Sequence, residues 1–379
     1  MTFDHILGLD HLKTHLKTSI ANNRVPHAQL FTGPTGSGTL PMAIAFARAL
    51  MLDHAPEGRQ ESVTSFMDDL THPDLHFVYP INKTPNSPKK PVSKDFIHDW
   101  RQFVLSNPYQ TLYDWYMEIG IEKKQGSINV EEAADVVKSL SLKSYDGGAK
   151  VMIVWCADKL NIAASNKLLK LIEEPPNQTY FILVTDSPED ILQTIRSRCQ
   201  RLDFPPLGEA DLVKGLRTKL DISENEAIKI SQQSDGSLSK ALHLAEHNSD
   251  DEKFEEWFIT WVRSAFKAKG NKHVVSDLLD WSDALASETR ETQKRFLNYC
   301  IQFFRQALLK NYKADSLVFL SPYDSKFKFD KFSQYISGNN IEDIFKELEE
   351  AIFHIERNGN AKMIFTDLSF QLTRFLHKK

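Results

Sequence analysis

The first 206 residues alternate between short strand-like runs and stretches with helical spacing. The strand-like runs lie at 27–31, 150–155, 180–185 and 200–204, and between them apolar residues recur three or four positions apart. Strands that alternate with helices predict a parallel sheet covered by helices on both faces, because each crossover helix packs back onto the sheet. Residues 1–206 are therefore predicted to form an α/β domain.

The pattern changes after the proline pair at 205–206. Residues 207–248 contain three short stretches with helical spacing, and residues 249–379 follow a helical pattern almost throughout, without a glycine-rich loop. The acidic stretch 247–256 is predicted to be a linker. The sequence thus predicts a small helical lid over 207–248 and an all-helical C-terminal domain over 249–379.

Residues 79–126, approximately, interrupt the α/β pattern and are predicted to be an insertion. The segment begins with several prolines and lysines, which predict an exposed loop, and continues with aromatic residues at helical spacing. These aromatic residues are Phe96, Trp100, Phe103, Tyr109, Tyr113, Trp115 and Tyr116. We expect them to form a small core of their own. The alternative is an exposed surface that docks a partner or stacks on single-stranded DNA.

Composition excludes several classes of protein. Three cysteines lie far apart and no histidines have metal-site spacing, so neither a disulfide framework nor a metal site is expected. A formal charge of −5 argues against a protein that coats nucleic acid by itself, because phosphate binding requires a concentrated basic surface. No apolar run approaches the ~18 residues that span a bilayer. The first residues lack the layout of a secretory signal, so a cytoplasmic protein is expected.

A glycine-rich loop, GPTGSGTL, follows the first predicted strand and precedes a helix predicted over 41–53. Its spacing is that of the phosphate-binding P-loop, in which a lysine neutralises the β- and γ-phosphates and the next hydroxyl binds Mg²⁺. Here Thr39 and Leu40 occupy these two positions and supply neither a charge nor a metal ligand. The loop is therefore predicted to be a tight turn and not a productive nucleotide site. The residues of this residual phosphate loop are Gly33, Gly36, Gly38, Thr39 and Leu40.

The strand at 150–155 shows a second loss. In P-loop ATPases a strand of this kind ends in carboxylates that hold Mg²⁺ and polarise the attacking water. Trp155 and Cys156 stand at those positions, and Asp158 lies beyond the strand, where it is predicted to cap the following turn. Two losses in one site predict a chain that is not an enzyme by itself, with no cofactor and no ATP binding expected.

Five stretches together resemble the clamp-loader subunits of bacterial DNA polymerase III, which are AAA+ proteins. They occur in the order of that family and cover about residues 1–245 outside the insertion. These stretches are 3–38, 71–78, 165–176, 194–207 and 236–242. The resemblance implies a P-loop AAA+ domain with a parallel sheet, a small helical lid, and a helical C-terminal collar that holds subunits in a ring. The family commonly carries a four-cysteine zinc module after the P-loop helix; this chain lacks those cysteines, so zinc is not expected.

Within that family, the chain resembles the delta-prime branch more than the ATPase subunits gamma and tau. The substituted P-loop, the substituted strand end and Ser239, which stands where the ATPases carry a lid arginine, all indicate this branch, while Ser197, Arg198 and Cys199 retain its Ser-Arg-Cys motif. The resemblance implies that Arg198 is an arginine finger that reaches the ATP of a neighbouring subunit. Taken without the resemblance, the residues favour Arg198 as a cation near a helix C-terminus, and Arg196 competes for the role of the finger.

The resemblance therefore implies a non-hydrolysing component of the DNA-directed DNA polymerase III holoenzyme. Its expected partners are the gamma/tau and delta subunits and, through the complex, the sliding clamp and primed DNA, with no membrane. Two alternatives remain open. One is an autonomous P-loop ATPase, or a gamma/tau-like motor subunit, which would need another cation to replace the missing lysine. The other is a stand-alone DNA-binding module that uses the lysine-rich insertion.

Overall fold

The computed structural model describes residues 1–379 apart from 123, 146, 246–248, 269–270, 272–273, 321 and 379, and it describes 249–251 and 316 without their side chains. The chain forms two compact units, Met1–Leu242 and His243–Lys379.

The first unit is built on a five-stranded sheet. Its strands are β1 (Ala28–Thr32), β2 (Leu75–Val78), β3 (Lys150–Trp155), β4 (Thr179–Thr185) and β5 (Gln200–Asp203). All neighbouring strands pair in parallel, in the order β2-β3-β4-β1-β5. The carboxyl ends of all five strands therefore lie at one edge of the sheet and the amino ends at the other. The predicted α/β fold class with a parallel sheet is confirmed.

The burial of the strands explains how well the sequence predicts them. Strands β1 and β3 are buried along their whole length, which accounts for the mostly apolar runs at these positions. Strand β5 is an edge strand with mostly exposed side chains. Strand β2 was not predicted, because four residues that include the partly buried His76 are too short to show a period.

Eleven α-helices accompany the sheet in the described part of the first unit, the last of them continuing past Leu242. They are α1 (Asp10–Ala21), α2 (Thr39–Asp53), α3 (Gln60–Asp68), α4 (Ile97–Ser106), α5 (Leu112–Glu118), α6 (Val130–Ser141), α7 (Ile162–Glu173), α8 (Gln193–Arg196), α9 (Glu209–Lys219), α10 (Glu224–Gln233) and α11 (Leu238–Ala245). Helix α2 is buried almost all round, and its small alanine side chains allow close packing. Helices α5, α7 and α10 begin at side-chain caps, where Thr111, Asn161 and Ser223 accept hydrogen bonds from backbone N–H groups three residues on.

The stretch 207–248, predicted to be a helical lid, contains helices α9, α10 and α11, and these three predicted helices are confirmed. The first compact unit includes this stretch as far as Leu242. Residues 246–248, at its predicted end, lie outside the described residues.

The second unit is mainly α-helical in its described part. Its helices are α12 (Ser249–Lys267), α13 (Val274–Ala286), α14 (Arg290–Asn311), α15 (Phe329–Ser333), α16 (Ile341–Glu356) and α17 (Ala361–Phe375). They enclose an aromatic core in which Trp261 stacks on Trp281 with ring centroids 4.9 Å apart. The predicted linker at 247–256 is wrong, because helix α12 begins at Ser249. Phe254 and Phe258 lie four residues apart and are both buried in this core. Their burial stabilises a helical conformation of the acidic segment.

In the described part of the chain, no helix is both long enough and apolar enough to cross a membrane.

Candidate functional site

The glycine-rich loop connects β1 to α2 at the carboxyl edge of the sheet. Gly36 and Gly38 have φ angles of 79° and 101°, in the left-handed region that favours glycine. The predicted tight turn is therefore present. Thr39 is the first residue of α2 and is half-buried, and Leu40 is only 3% exposed because it faces the core. The position that would supply a metal ligand in an active P-loop thus belongs to the hydrophobic core.

The start of α11 packs directly on this loop. The backbone N–H of Leu238 donates to the Gly36 carbonyl oxygen at 3.1 Å, and a Cβ atom on Gly36 would clash with the Ser237 hydroxyl. Ser239, which we predict to replace a lid arginine of the ATPases, is buried, and its hydroxyl has no hydrogen-bond partner within the described part of the structure. The helical segment after Pro206 therefore supplies hydroxyls and backbone to the loop, and no cation at this contact.

Tyr109 of the insertion covers the N-terminus of α2. Its ring lies 3.3 Å from where a Cβ atom on Gly38 would stand, and its hydroxyl accepts a hydrogen bond from the backbone N–H of Leu7 at 3.0 Å. Burial raises the pKa of Tyr109 to about 12. Leu9 approaches the same glycine from another side, at 3.4 Å. Aromatic and aliphatic atoms thus cover the helix end at which P-loop proteins bind phosphate.

Two carboxylates, Asp158 and Asp186, lie near the loop, and Lys159 pairs with the first of them. The hydroxyl of Thr35 donates to Asp186 at 2.7 Å. Asp158 accepts a hydrogen bond from the hydroxyl of Thr185 at 2.7 Å and forms an ion pair with Lys159 at 2.8 Å. The predicted capping role of Asp158 is therefore wrong, because its side chain turns inward to the end of β4, and Asn161 caps the helix that follows.

The substituted strand end is part of the aromatic core of the insertion. Trp155 is buried, with its ring centroid 5.1 Å from that of Trp100 and 6.1 Å from that of Phe103. Trp100 in turn stacks on Tyr79 at 4.1 Å and meets Trp115 edge to face at 5.3 Å. The insertion and the end of β3 therefore form a single hydrophobic cluster.

The prediction that the aromatic residues of the insertion form a core is confirmed, but this core is shared with Phe77 of β2 and Trp155 of β3. Phe96, Trp100, Phe103, Tyr109, Trp115 and Tyr116 are buried, and Tyr113 is partly buried. Rings packed in this way are not exposed for stacking on single-stranded DNA. Cys156, next to Trp155, has a φ angle of 52°, and burial raises the pKa of its thiol.

The Ser-Arg-Cys motif lies on the opposite edge of the sheet. It follows α8 and directly precedes β5, so it stands at the amino edge, whereas the glycine-rich loop follows β1 at the carboxyl edge. Strands of four or five residues separate the two edges by roughly 15 Å. The structure therefore does not bring Arg198 together with the glycine-rich loop of its own chain.

Burial distinguishes the two candidate arginines, Arg198 of the motif and Arg196, which directly precedes it. The side chain of Arg198 is 39% exposed, while that of Arg196 is 26% exposed and forms an ion pair with Glu189 at 2.5 Å. Cys199 packs against the core beneath the sheet, and burial raises the pKa of its thiol to about 11. Ser197 is exposed. Arg198 is therefore more accessible than Arg196.

Four residues that contribute to this arrangement were not predicted as site residues: Trp100, Tyr109, Ser237 and Glu173, the ion-pair partner of Arg198. The first two were recognised as aromatic residues of the insertion, but their contacts with Trp155 and Gly38 join positions 55 and 71 residues apart. No group of three or more His, Cys, Asp or Glu side chains in the described ranges could hold a metal ion.

Comparison with known proteins identifies the family. Residues 8–208 match the family model described as DNA polymerase III, delta subunit. The chain is 25% identical to DNA polymerase III subunit delta' of Escherichia coli (strain K12) over 264 residues, which cover 69% of this chain and 74% of that protein. It is 25% identical to the delta' subunit of Bacillus subtilis (strain 168) over 322 residues, covering 78% and 83%.

The same chain also resembles DNA polymerase III subunit tau of Bacillus subtilis (strain 168), at 26% identity over 323 residues. That match covers 81% of this chain but half the length of tau. The family match spans more than half of the chain and lies over the α/β domain, the glycine-rich loop and the Ser-Arg-Cys motif. The chain therefore belongs to the DNA polymerase III delta subunit family, as a bacterial clamp-loader protein of the delta-prime type.

Proposed function

We propose that the chain is a non-hydrolysing subunit of the DNA polymerase III clamp loader that donates Arg198 to the ATP site of a neighbouring gamma/tau subunit. In this role it contacts gamma/tau and delta and, through the complex, helps to load the sliding clamp onto primed DNA. The observation that carries the proposal is the position of Trp155. In our proposal this residue replaces a metal-binding carboxylate of the ATPases, and it is buried against Trp100 of the insertion.

Three features of the glycine-rich loop support the absence of hydrolysis. No lysine follows Gly38, Leu40 is committed to the core, and Tyr109 covers the helix N-terminus. Asp186, bonded to Thr35 of the loop, adds a negative charge that disfavours a triphosphate. Catalysis of phosphoryl transfer depends on electrostatic stabilisation of the phosphates and Mg²⁺. A site without its cation and metal ligands lacks that stabilisation.

The placement of Arg198 supports action on a neighbour. It stands at the edge of the sheet opposite its own glycine-rich loop, so it cannot serve a nucleotide there. Its guanidinium is accessible at the surface. An arginine inserted into a partner's ATP site stabilises the charge that develops on the transferred phosphoryl group, with effects of roughly 10³–10⁵ on rate.

The first test is nucleotide binding and hydrolysis by the purified full-length chain at millimolar Mg-ATP. We expect neither, because the cation and metal ligands are missing. Binding with turnover would overturn the non-hydrolysing assignment and would favour a gamma/tau-like motor subunit.

The second test uses the reconstituted loader with its gamma/tau and delta subunits. Arg198→Ala is expected to leave assembly intact and to lower the DNA-stimulated ATPase rate by the share that the served site contributes. Arg201→Ala is the matched control, because Arg201 is another exposed arginine, on β5, which pairs only with Asp203 among the residues described. Unchanged turnover in the Arg198→Ala loader would overturn the finger assignment.

A further inference from the structure

Arg198 already has partners within its own subunit. Its Nη1 donates to the backbone oxygen of Thr194 at 2.8 Å, and its Nε lies against the carboxylate of Glu173 in an ion pair. Among the hydrogen bonds of the described residues, none is donated by its Nη2. The guanidinium is thus held on one side, and its other edge is left for a ligand.

The backbone on both sides of this ion pair is anchored. The N–H of Arg198 donates to the carbonyl oxygen of Ile195 at 3.0 Å, and Ile195 is completely buried. Cys199, the next residue, packs against the same core. Glu173 is the last residue of α7, which ends there because Pro175 and Pro176 follow. Two rigid segments therefore set the distance between the carboxylate and the arginine stem.

Stability does not account for the carboxylate at this position. A negative charge in the last turn of a helix is unfavourable to the helix dipole. An ion pair whose side chains are 41% and 39% exposed contributes little to folding. Arg198 is the only partner of Glu173 within the described part of the structure. The remaining effect of the pair is to restrict where the long arginine side chain points.

We propose that Glu173 is a positioning residue for Arg198 and orients its guanidinium before the neighbouring ATP site forms around it. This inference rests on the proposed function of Arg198. A flexible arginine must lose conformational freedom when it enters a partner's site, and an arginine oriented in advance loses less. Catalytic groups held in the reacting geometry give faster reactions than free ones. Glu173 acts through Arg198 and does not touch the nucleotide.

The experiment compares reconstituted loaders that carry Glu173→Ala or Glu173→Gln with the wild type, Arg198→Ala and the control Glu174→Gln. Glu174 is the exposed neighbouring carboxylate and forms no ion pair among the residues described. The readout is DNA-stimulated ATP turnover, separated into kcat and KM, and rates are expressed relative to the portion of turnover that Arg198→Ala removes.

We expect Glu173→Ala to lower this Arg198-dependent kcat by roughly threefold or more with KM for ATP unchanged. Glu173→Gln should retain more of it than Glu173→Ala, because the amide oxygen still faces Nε, and Glu174→Gln should match the wild type. A purely structural role would instead change assembly or the melting temperature of the chain, which are measured in parallel.

The outcomes separate the two proposals. If Arg198→Ala lowers turnover and Glu173→Ala does not, the positioning role is wrong and the arginine finger stands. Faster turnover in Glu173→Ala would show that the carboxylate restrains Arg198, and it would also overturn the positioning role. If Arg198→Ala itself has no effect, the proposed function fails before the role of Glu173 is tested.

Discussion

Trp100 of the insertion lies against Trp155 at the end of β3, with the two ring centroids 5.1 Å apart and the ring planes inclined by 49°. Trp155 is the residue that we predict to replace a strand-end carboxylate of the P-loop ATPases, and Trp100 belongs to the insertion. The contact makes the insertion part of the core of the first unit. It also removes the end of β3 from water, and such an environment favours an aromatic side chain over a carboxylate.

The Trp100–Trp155 contact predicts that the insertion stabilises the first unit. Trp100→Ala is expected to lower the free energy of unfolding by about 3–5 kcal/mol, because it leaves a large cavity among Tyr79, Phe103 and Trp115. Urea unfolding of the full chain measures the change. Leu105→Ala, on the same helix but 47% exposed, is the control and should have little effect. Equal losses in the two variants would contradict the account.

The cover over the glycine-rich loop predicts that restoring the lysine does not restore nucleotide binding. In Thr39→Lys the ammonium group stands at the start of α2, but Tyr109 and Ser237 still occupy the approach to the loop. We expect no binding of Mg-ATP at millimolar concentration by calorimetry, in a variant that melts near the wild-type temperature. Saturable binding by this variant would show that the missing charge alone disables the site.

Glu132 predicts a pH dependence of stability. Its side chain is 4% exposed, and burial raises its pKa from 4.5 to about 7, although the backbone N–H of Ser93 donates to its carboxylate at 2.6 Å. A carboxyl whose pKa is higher in the folded state binds protons on folding. Glu132 therefore makes its full contribution to the free energy of unfolding below pH 4.5, and this contribution is lost as the pH rises through about 7.

Glu132→Gln removes this titration but keeps an oxygen that accepts from Ser93. As the pH rises from 5 to 8, the free energy of unfolding of the variant is expected to increase relative to that of the wild type, by up to about 3 kcal/mol. Urea unfolding of both proteins at pH 5 and pH 8 measures this increase. The control is Glu131→Gln, because Glu131 is the neighbouring residue and pairs with Lys90 at the surface. A difference between variant and wild type that is the same at both pH values would contradict the role of Glu132.

The thiols predict slow reaction with an aromatic disulfide reagent. Burial raises the pKa of Cys156, Cys199 and Cys300, to about 11 for Cys199. At pH 7.5 the thiolate of Cys199 is therefore roughly 100-fold rarer than in an ordinary thiol. We expect slow labelling of the native chain, Cys199 first, and rapid labelling of all three thiols in denaturant. One native thiol that reacts at the denatured rate would contradict the burial.

Several features follow from the sequence by itself because they depend on neighbouring residues. The strand runs at 150–155 and 180–185 are buried on both faces and so are almost entirely apolar, which makes them visible without a structure. The prediction that Thr39 replaces the P-loop lysine and that Trp155 replaces a carboxylate also needs only the sequence around each position. The spacing of the aromatic residues in the insertion likewise predicted that they pack together.

What these elements pack against depends on contacts between distant segments of the chain. The stretch 247–256 is acidic, yet Phe254 and Phe258 bury into the second unit and make it helical. Asp158 turns toward Thr185, 27 residues away in the chain, instead of capping the next turn.

Arg198 also shows the difference between a motif visible in the sequence and contacts visible only in the folded chain. The sequence identifies Arg198 as part of a motif, whereas its position opposite its own glycine-rich loop comes from the parallel order of β1 and β5. Its pairing with Glu173 depends on where α7 ends against the segment before β5. Local periodicity carries no information about such contacts, because they join segments that are far apart in the sequence and adjacent only in the folded chain.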